Sequence, residues 1–182
     1  MNADRKQKII LGVTGGIAAY KSAELCSRLS KLAYDVHVIM TASAQKLMTE
    51  RCFLTLSRNP VICSLWDVPD WKPEHIELSA SADLLVVAPC TANFIGKYTH
   101  GIADDALTTT AMAFPGKVLL APAMNTRMWE SPAVQENCRI LQTRGVHFIG
   151  PKSGFLACGE DGKGRMSDVS DIVAEIQKLL QD

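Results

Sequence analysis

Neither sign of charge is in excess in this sequence. Its 182 residues carry 19 Lys and Arg against 19 Asp and Glu, a formal net charge of zero. The two signs are interspersed. No basic stripe is available to track a nucleic-acid backbone, and no acidic block to form a solvated tail. Long apolar runs are missing too. The start, MNADRKQKIILGV, has basic residues followed by only five apolar ones before Thr14. That is too short for a secretion-signal core or a membrane span, so a cytoplasmic protein is expected. Cysteine pairs are also absent: Cys26, Cys52, Cys63, Cys90, Cys138 and Cys158 form no C-x-x-C pair and no zinc spacing. In a reducing compartment five of the six read as small buried hydrophobes. Cys158, set between Ala157 and Gly159 in the glycine-rich GFLACGEDGKGRM, needs another reason. With no repeat, low-complexity stretch or linker, residues 1–182 read as a single domain long enough to bury a core.

What is present alternates between strand and helix. KIILGV (8–13), DVHVIM (35–40), DLLVVAP (83–89) and KVLLAPAM (117–124) are apolar runs of the kind a sheet covered on both faces requires. VICSLW and HFIG add two short strands. Helical spacing marks 17–32, 44–57, 91–114 with a break at Gly101, 131–145 and 167–181, and a proline-rich loop from Asp67 ends in a helix near His75. Ser131, Pro132 and Gly145 supply start and stop signals for one of these helices. The alternation predicts an α/β fold: a doubly wound parallel sheet in a three-layer α/β/α arrangement.

The first turn, GVTGGIAAYK, is a strand, a glycine turn and a helix. Gly15 and Gly16 let the backbone approach a ligand closely, and the N–H groups that open the helix at Ile17 attract an anion. The G-x-G-x-x-G fingerprint is absent. The second strand ends in VIMTAS, where Thr41 and Ser43 offer hydroxyls instead of the carboxylate that a dinucleotide ribose needs. A single phosphate, as in FMN, fits better than NAD. The competing interpretation is a glycine turn needed only for packing.

Two more strand exits carry polar tips. APCTANF presents Thr91 and Asn93, and APAMNTRMW presents Asn125 with Met128 and Trp129 a helical turn on. Ligands collect outside the carboxyl ends of strands in such sheets. Asn93 and Asn125 are also ordinary helix caps, and Met128 and Trp129 ordinary core residues. His75 is either a surface or core histidine or a proton acceptor reaching a site at the sheet edge. GEDGKG is not a phosphate loop, because no strand feeds it and Arg165 stands where Lys-Ser or Lys-Thr is needed.

HIEL, APCTANFIGKYTHGIADDALT, PAMNTRMW and ACGEDGKGRM, in that order and spacing, resemble the flavin-containing cysteine decarboxylase family over nearly the whole chain. The resemblance implies a flavodoxin-like (Rossmann-like) domain that binds FMN. It also implies trimers, or dodecamers of four trimers, with active sites at subunit contacts. Carried over position by position, it implies cofactor contacts at Gly15, Gly16, Ile17, Thr41, Ser43, Thr91, Ala92, Asn93, Phe94 and Ala123. It places substrate contacts at Asn125, Met128, Phe155 and Ala157, and a mobile flap at 154–166. His75 would be the proton acceptor of an oxidative half-reaction and Cys158 the proton donor of a reductive one. The implied reaction is decarboxylation of phosphopantothenoylcysteine in coenzyme A biosynthesis, through thioaldehyde and ene-thiol intermediates. Alternatives are a decarboxylase of peptidyl C-terminal cysteine, a flavin-binding regulatory subunit and a prenyl-transferring flavoprotein. Cys158, PAMN and the lack of acidic extensions favour the first. Two positions depart from the family pattern: Phe94 stands where threonine is usual, and Asp105 where asparagine is common.

Overall fold

The computed structural model describes residues 5–66, 74–157 and 159–181, with 74–76 as backbone only. Six strands form one parallel sheet: β1 (Lys8–Val13), β2 (Asp35–Met40), β3 (Val61–Ile62), β4 (Leu84–Cys90), β5 (Lys117–Pro122) and β6 (His147–Phe148). Their order is β3-β2-β1-β4-β5-β6, so the direction of winding reverses between β1 and β4. This is the doubly wound fold expected from the sequence, and its reversal opens a crevice beyond the carboxyl ends of β1 and β4.

Strand periodicity decides which residues meet which helix layer. Leu84, Val86 and Ala88 of β4 face one way, with Ile9, Leu11 and Val13 of β1. They are covered by α1 (Ala19–Lys31), α3 (Glu50–Ser57) and α9 (Val169–Gln181). Leu85 and Val87 face the other way, with Ile10 and Leu120. Their cover is α4 (Glu74–Ser81), α5 (Ala92–Thr99), α6 (Ala106–Ala113) and α8 (Pro132–Thr143). All seven residues of β4 are buried, which is why its sequence is a continuous apolar run and not an alternating one. Each large apolar side chain buried there contributes about 1.5–3 kcal/mol.

The helix expected over 44–57 is two pieces, α2 (Ala42–Gln45) and α3, because Thr41 caps a helix that starts sooner and Thr49 returns to extended backbone. The break expected at Gly101 is present, with φ +73°. Beyond it, Asp105 opens α6 through a reciprocal capping box. Its Oδ1 accepts from the Thr108 N–H at 2.8 Å, and its own N–H donates to Thr108 Oγ1 at 3.1 Å. That gives Asp105 its physical account, since aspartate and asparagine are interchangeable as cap acceptors. Ser131 stands at the start of α8 but makes no side-chain cap bond, while Gly145 with φ +85° ends that helix.

Two elements were not anticipated. A short helix, α7 (Thr126–Glu130), follows β5. The glycine-rich segment near the C-terminus is an antiparallel hairpin of β7 (Lys152–Phe155) and β8 (Asp161–Arg165). Its sequence, KSGF and DGKGR, has neither β-branched residues nor alternation, so nothing local announces a strand.

Candidate active site

Three strand exits are laced together at the point of reversal. The Thr41 N–H, leaving β2, donates to the Val13 carbonyl at 3.1 Å. Thr14, leaving β1, donates from Oγ1 to the Pro89 carbonyl at 2.8 Å and accepts from the Thr91 N–H at 3.2 Å. Ser22 of α1 reaches across to the Ala88 carbonyl at 2.7 Å. Thr14 and Ser22 are buried, and sequence reasoning passed over both. Hydroxyls at i and i+8 from a glycine turn are too common to be a signal.

Gly15 sits so close to Ser43 that a methyl group on it would fall 2.3 Å from the Ser43 Cβ. The turn therefore needs glycine for packing as well as for any ligand. The helix it feeds, α1, starts at Ala18 with no side-chain cap. Gly15 lies against Ser43 and Gly16 against Thr91, so the turn stands beside two hydroxyl-bearing residues, and no carboxylate stands among Thr41, Ser43 and Thr91. Thr41 and Thr91 also cap their own helices, accepting from the N–H groups of Ala44 at 3.2 Å and Phe94 at 3.5 Å. Ala92 is half-buried and Asn93 exposed at the same strand exit. Phe94 has its ring 2% exposed, stacked on Tyr98 with centroids 5.7 Å apart in the core. Only its backbone belongs to the strand exit.

Gly16 and Ile17 join this region to an open cleft of about 630 Å³. Ala123, Asn125, Phe155 and Ala157 line it. Tyr20, Lys21 and Arg165 line it as well. The first two lie one helical turn after Gly16–Ile17, and that spacing is the signal that would have found them. Asn125 is the N-cap of α7, its Oδ1 accepting from the Arg127 N–H at 2.8 Å, so the cap interpretation holds and fixes the amide at the mouth of the cleft. Met128 is 49% exposed, lies outside the cleft lining and is not core.

The hairpin is held at its base by charge. Lys152 of β7 donates to Asp168 at 2.9 Å and also to Asp171, and Arg165 stands 3.5 Å from Asp168. The Lys152 bond holds the Asp168 carboxyl below its usual range. Burial pushes the Cys26 and Cys138 thiols up to about 11 and Cys90 well above its ordinary value, so these three act as hydrophobes. His75 stands in the first turn of α4, whose last residue leads into β4. The helix ends at Ser81, three residues before Leu84 opens that strand. The His75 side chain and all of Cys158 lie outside the described residues. Among the described residues, no helix is long and apolar enough to cross a membrane.

Residues 1–181 match the flavoprotein family. The chain belongs to that family. Relatives agree along its whole length. A probable phosphopantothenoylcysteine decarboxylase of Streptococcus mutans is 41% identical over 177 residues, 96% of this flavoprotein and 99% of the relative. The coenzyme A biosynthesis bifunctional protein CoaBC of Haemophilus influenzae is 44% identical over 173 residues, 94% of this chain but 43% of that protein. The flavoprotein thus spans less than half the length of the bifunctional relatives it matches. Among solved structures, a mutant PPC decarboxylase complexed with pantothenoylaminoethenethiol superposes with a TM-score of 0.87 at 29% identity, covering 98% of this chain and 100% of the other.

Proposed function

We propose that this flavoprotein binds FMN and decarboxylates phosphopantothenoylcysteine to phosphopantetheine and CO2, a step of coenzyme A biosynthesis, in the cytoplasm. One observation carries the proposal: Asn125 stands in a cleft continuous, through Gly16 and Ile17, with an uncapped helix N-terminus set among hydroxyls. The relatives with named activity support the substrate. The donors fit FMN. The α1 N–H groups with Ser43, Thr41 and Thr91 suit a phosphate dianion, and Gly15, packed on Ser43, leaves the backbone bare at that point. The cleft walls of Ile17, Ala123 and Phe155 suit a flat ring.

FMN, held by the Gly15–Gly16 turn with Thr41, Ser43 and Thr91, would supply two-electron chemistry, so that the substrate CH2–SH can pass to the thioaldehyde level and the ene-thiol left after CO2 release can be reduced. The C=S group beside the carboxylate-bearing carbon is the electron sink that a simple cysteine lacks. Asn125 holds the substrate carboxylate and amide, with its own amide oriented by the cap bond to Arg127. His75 takes the proton released in the oxidative half. Cys158 gives one to the carbon in the reductive half, so the net reaction exchanges CO2 for H. Phe155 and Ala157, on the segment 154–166, close over the substrate and exclude water from the ene-thiol. Met128 packs on the substrate at a subunit contact of a homotrimer, alone or as four trimers. The exposed apolar side chains of Ile17, Tyr20 and Phe155 around the cleft support such a contact.

Purified protein is expected to be yellow, absorbing near about 450 nm as oxidised flavins do. Incubated with phosphopantothenoylcysteine, it is expected to yield a product lighter by CO2 alone. Loss of CO2 plus two hydrogens would instead indicate the oxidative reaction of a peptidyl-cysteine type enzyme. No mass change with FMN bound would refute the proposed activity.

A further inference from the structure

Strand β8 meets the Asn125 turn through two residues that have no side chain. A methyl group on Gly164 would lie 2.1 Å from the backbone oxygen of Met124, and one on Gly162 would lie 2.2 Å from Oγ1 of Thr126. Both distances are well inside van der Waals contact: a side chain on Gly164 would have to displace backbone, and one on Gly162 would have to displace the Thr126 side chain. At the same place the Met124 N–H donates to the Gly164 carbonyl at 3.0 Å. Lys163, between the two glycines, holds its ammonium 5.9 Å from the centre of the Trp129 ring. Three successive residues of β8 thus bear on positions 124, 126 and 129, on both sides of Asn125. The strand is anchored at its end by Met166, which follows it directly, is 1% exposed and is packed in the core.

We propose that Gly162 and Gly164 are positioning residues for Asn125: β8 is a splint that holds the Met124–Thr126 turn, and with it the Asn125 amide, in register with the cleft. Neither glycine touches substrate in this role. Each acts by admitting a neighbour that a larger residue would displace. The proposal rests on the substrate-holding role given to Asn125 above. It implies that β8 and the Asn125 turn move together, whatever the rest of the hairpin does.

The test is a rescue experiment on the FMN-loaded protein. Gly162→Ala is expected to raise KM for phosphopantothenoylcysteine by about tenfold or more, the scale of a displaced binding group, with FMN content unchanged. Thr126→Ala removes the hydroxyl at 2.2 Å and the methyl at 3.1 Å from the new side chain and keeps only the Cβ at 3.1 Å. Measured against the Thr126→Ala variant alone, the added substitution is expected to relieve most of the KM rise that Gly162→Ala causes. Gly164→Ala strikes a backbone oxygen, so Thr126→Ala is expected not to rescue it. A second readout needs no substrate: amide hydrogen exchange at 124–126 is expected to quicken in both glycine variants and to return to normal in the Gly162→Ala, Thr126→Ala pair. Wild-type KM and wild-type exchange in Gly162→Ala would overturn the proposal, as would a loss that Thr126→Ala does not relieve. If the wild-type protein releases no CO2, the proposed activity fails, and the exchange comparison still decides the splint.

Discussion

Replacing Thr14 by valine is expected to loosen the flavin-side crevice more than any change of similar size. The hydroxyl is buried, donates to the Pro89 carbonyl at 2.8 Å and accepts from the Thr91 N–H at 3.2 Å. Valine has almost the same shape but takes neither role, so two backbone groups lose this partner. A buried group left without its hydrogen bond costs about 1–3 kcal/mol. Two such losses, partly relieved by small shifts, come to about 2–4 kcal/mol. For a chain of 182 residues each kcal/mol lowers Tm by about 2–4 °C, so a fall of about 10 °C is expected. Thr14 also ties the exit of β1 to that of β4, so FMN affinity is expected to fall with Tm. Thermal unfolding with and without added FMN measures both, because FMN raises Tm only to the extent that it binds the folded protein. Thr14→Ser keeps the hydroxyl and is expected to recover most of the loss. A valine variant that melts within about 2 °C of wild type, with the same FMN-dependent rise, would refute the bridging role.

Asp105→Ala removes an N-cap worth about 1 kcal/mol and is expected to lower Tm by about 2–4 °C, whereas Asp105→Asn keeps the acceptor and leaves Tm nearly unchanged. Equal melting of the alanine and asparagine variants would contradict the capping box. The Asp168 carboxyl is held below its usual range by Lys152, so its contribution is present above the unfolded-state pKa of about 3.9 and is lost as pH falls through the lower folded value. Tm measured across acid pH is expected to fall more steeply for wild type than for Asp168→Asn, and parallel curves would remove Asp168 from the acid response. His75→Asn is expected to keep FMN and abolish CO2 release, and Cys158→Ser to release CO2 but accumulate the oxidised ene-thiol. Near-normal turnover of the first, or normal phosphopantetheine from the second, would strip that residue of its role.

The sheet was legible because burial on both faces leaves a direct imprint on composition. DLLVVAP and KIILGV have no other reasonable home, and helices alternate with them in the chain. The strand exits at Thr41, Thr91 and Asn125 were legible for a related reason: a polar residue directly after a buried strand must lie at its carboxyl end. The hairpin was not legible. KSGF and DGKGR become strands because β8 is seated on the Met124–Thr126 turn, a contact between residues that sequence separates by more than thirty positions. The inward turn of the Phe94 ring was not legible, because a motif position says which backbone reaches the strand exit, not which way the side chain turns. Its neighbour one turn on, Tyr98, offered a ring to stack against. Tyr20 and Lys21 were legible from their place one helical turn after Gly16–Ile17, but that the hairpin completes the cleft beside them was not.

By itself, then, the sequence determined the layers, the order of helix and strand and the polar character of the strand exits, all of which follow from local periodicity and from what a buried strand requires. The direction of winding, the lacing of three exits through Thr14 and the seating of β8 beside Asn125 were decided only by the tertiary structure. Each depends on the distance between segments far apart in the chain, and no residue carries that distance in its own chemistry.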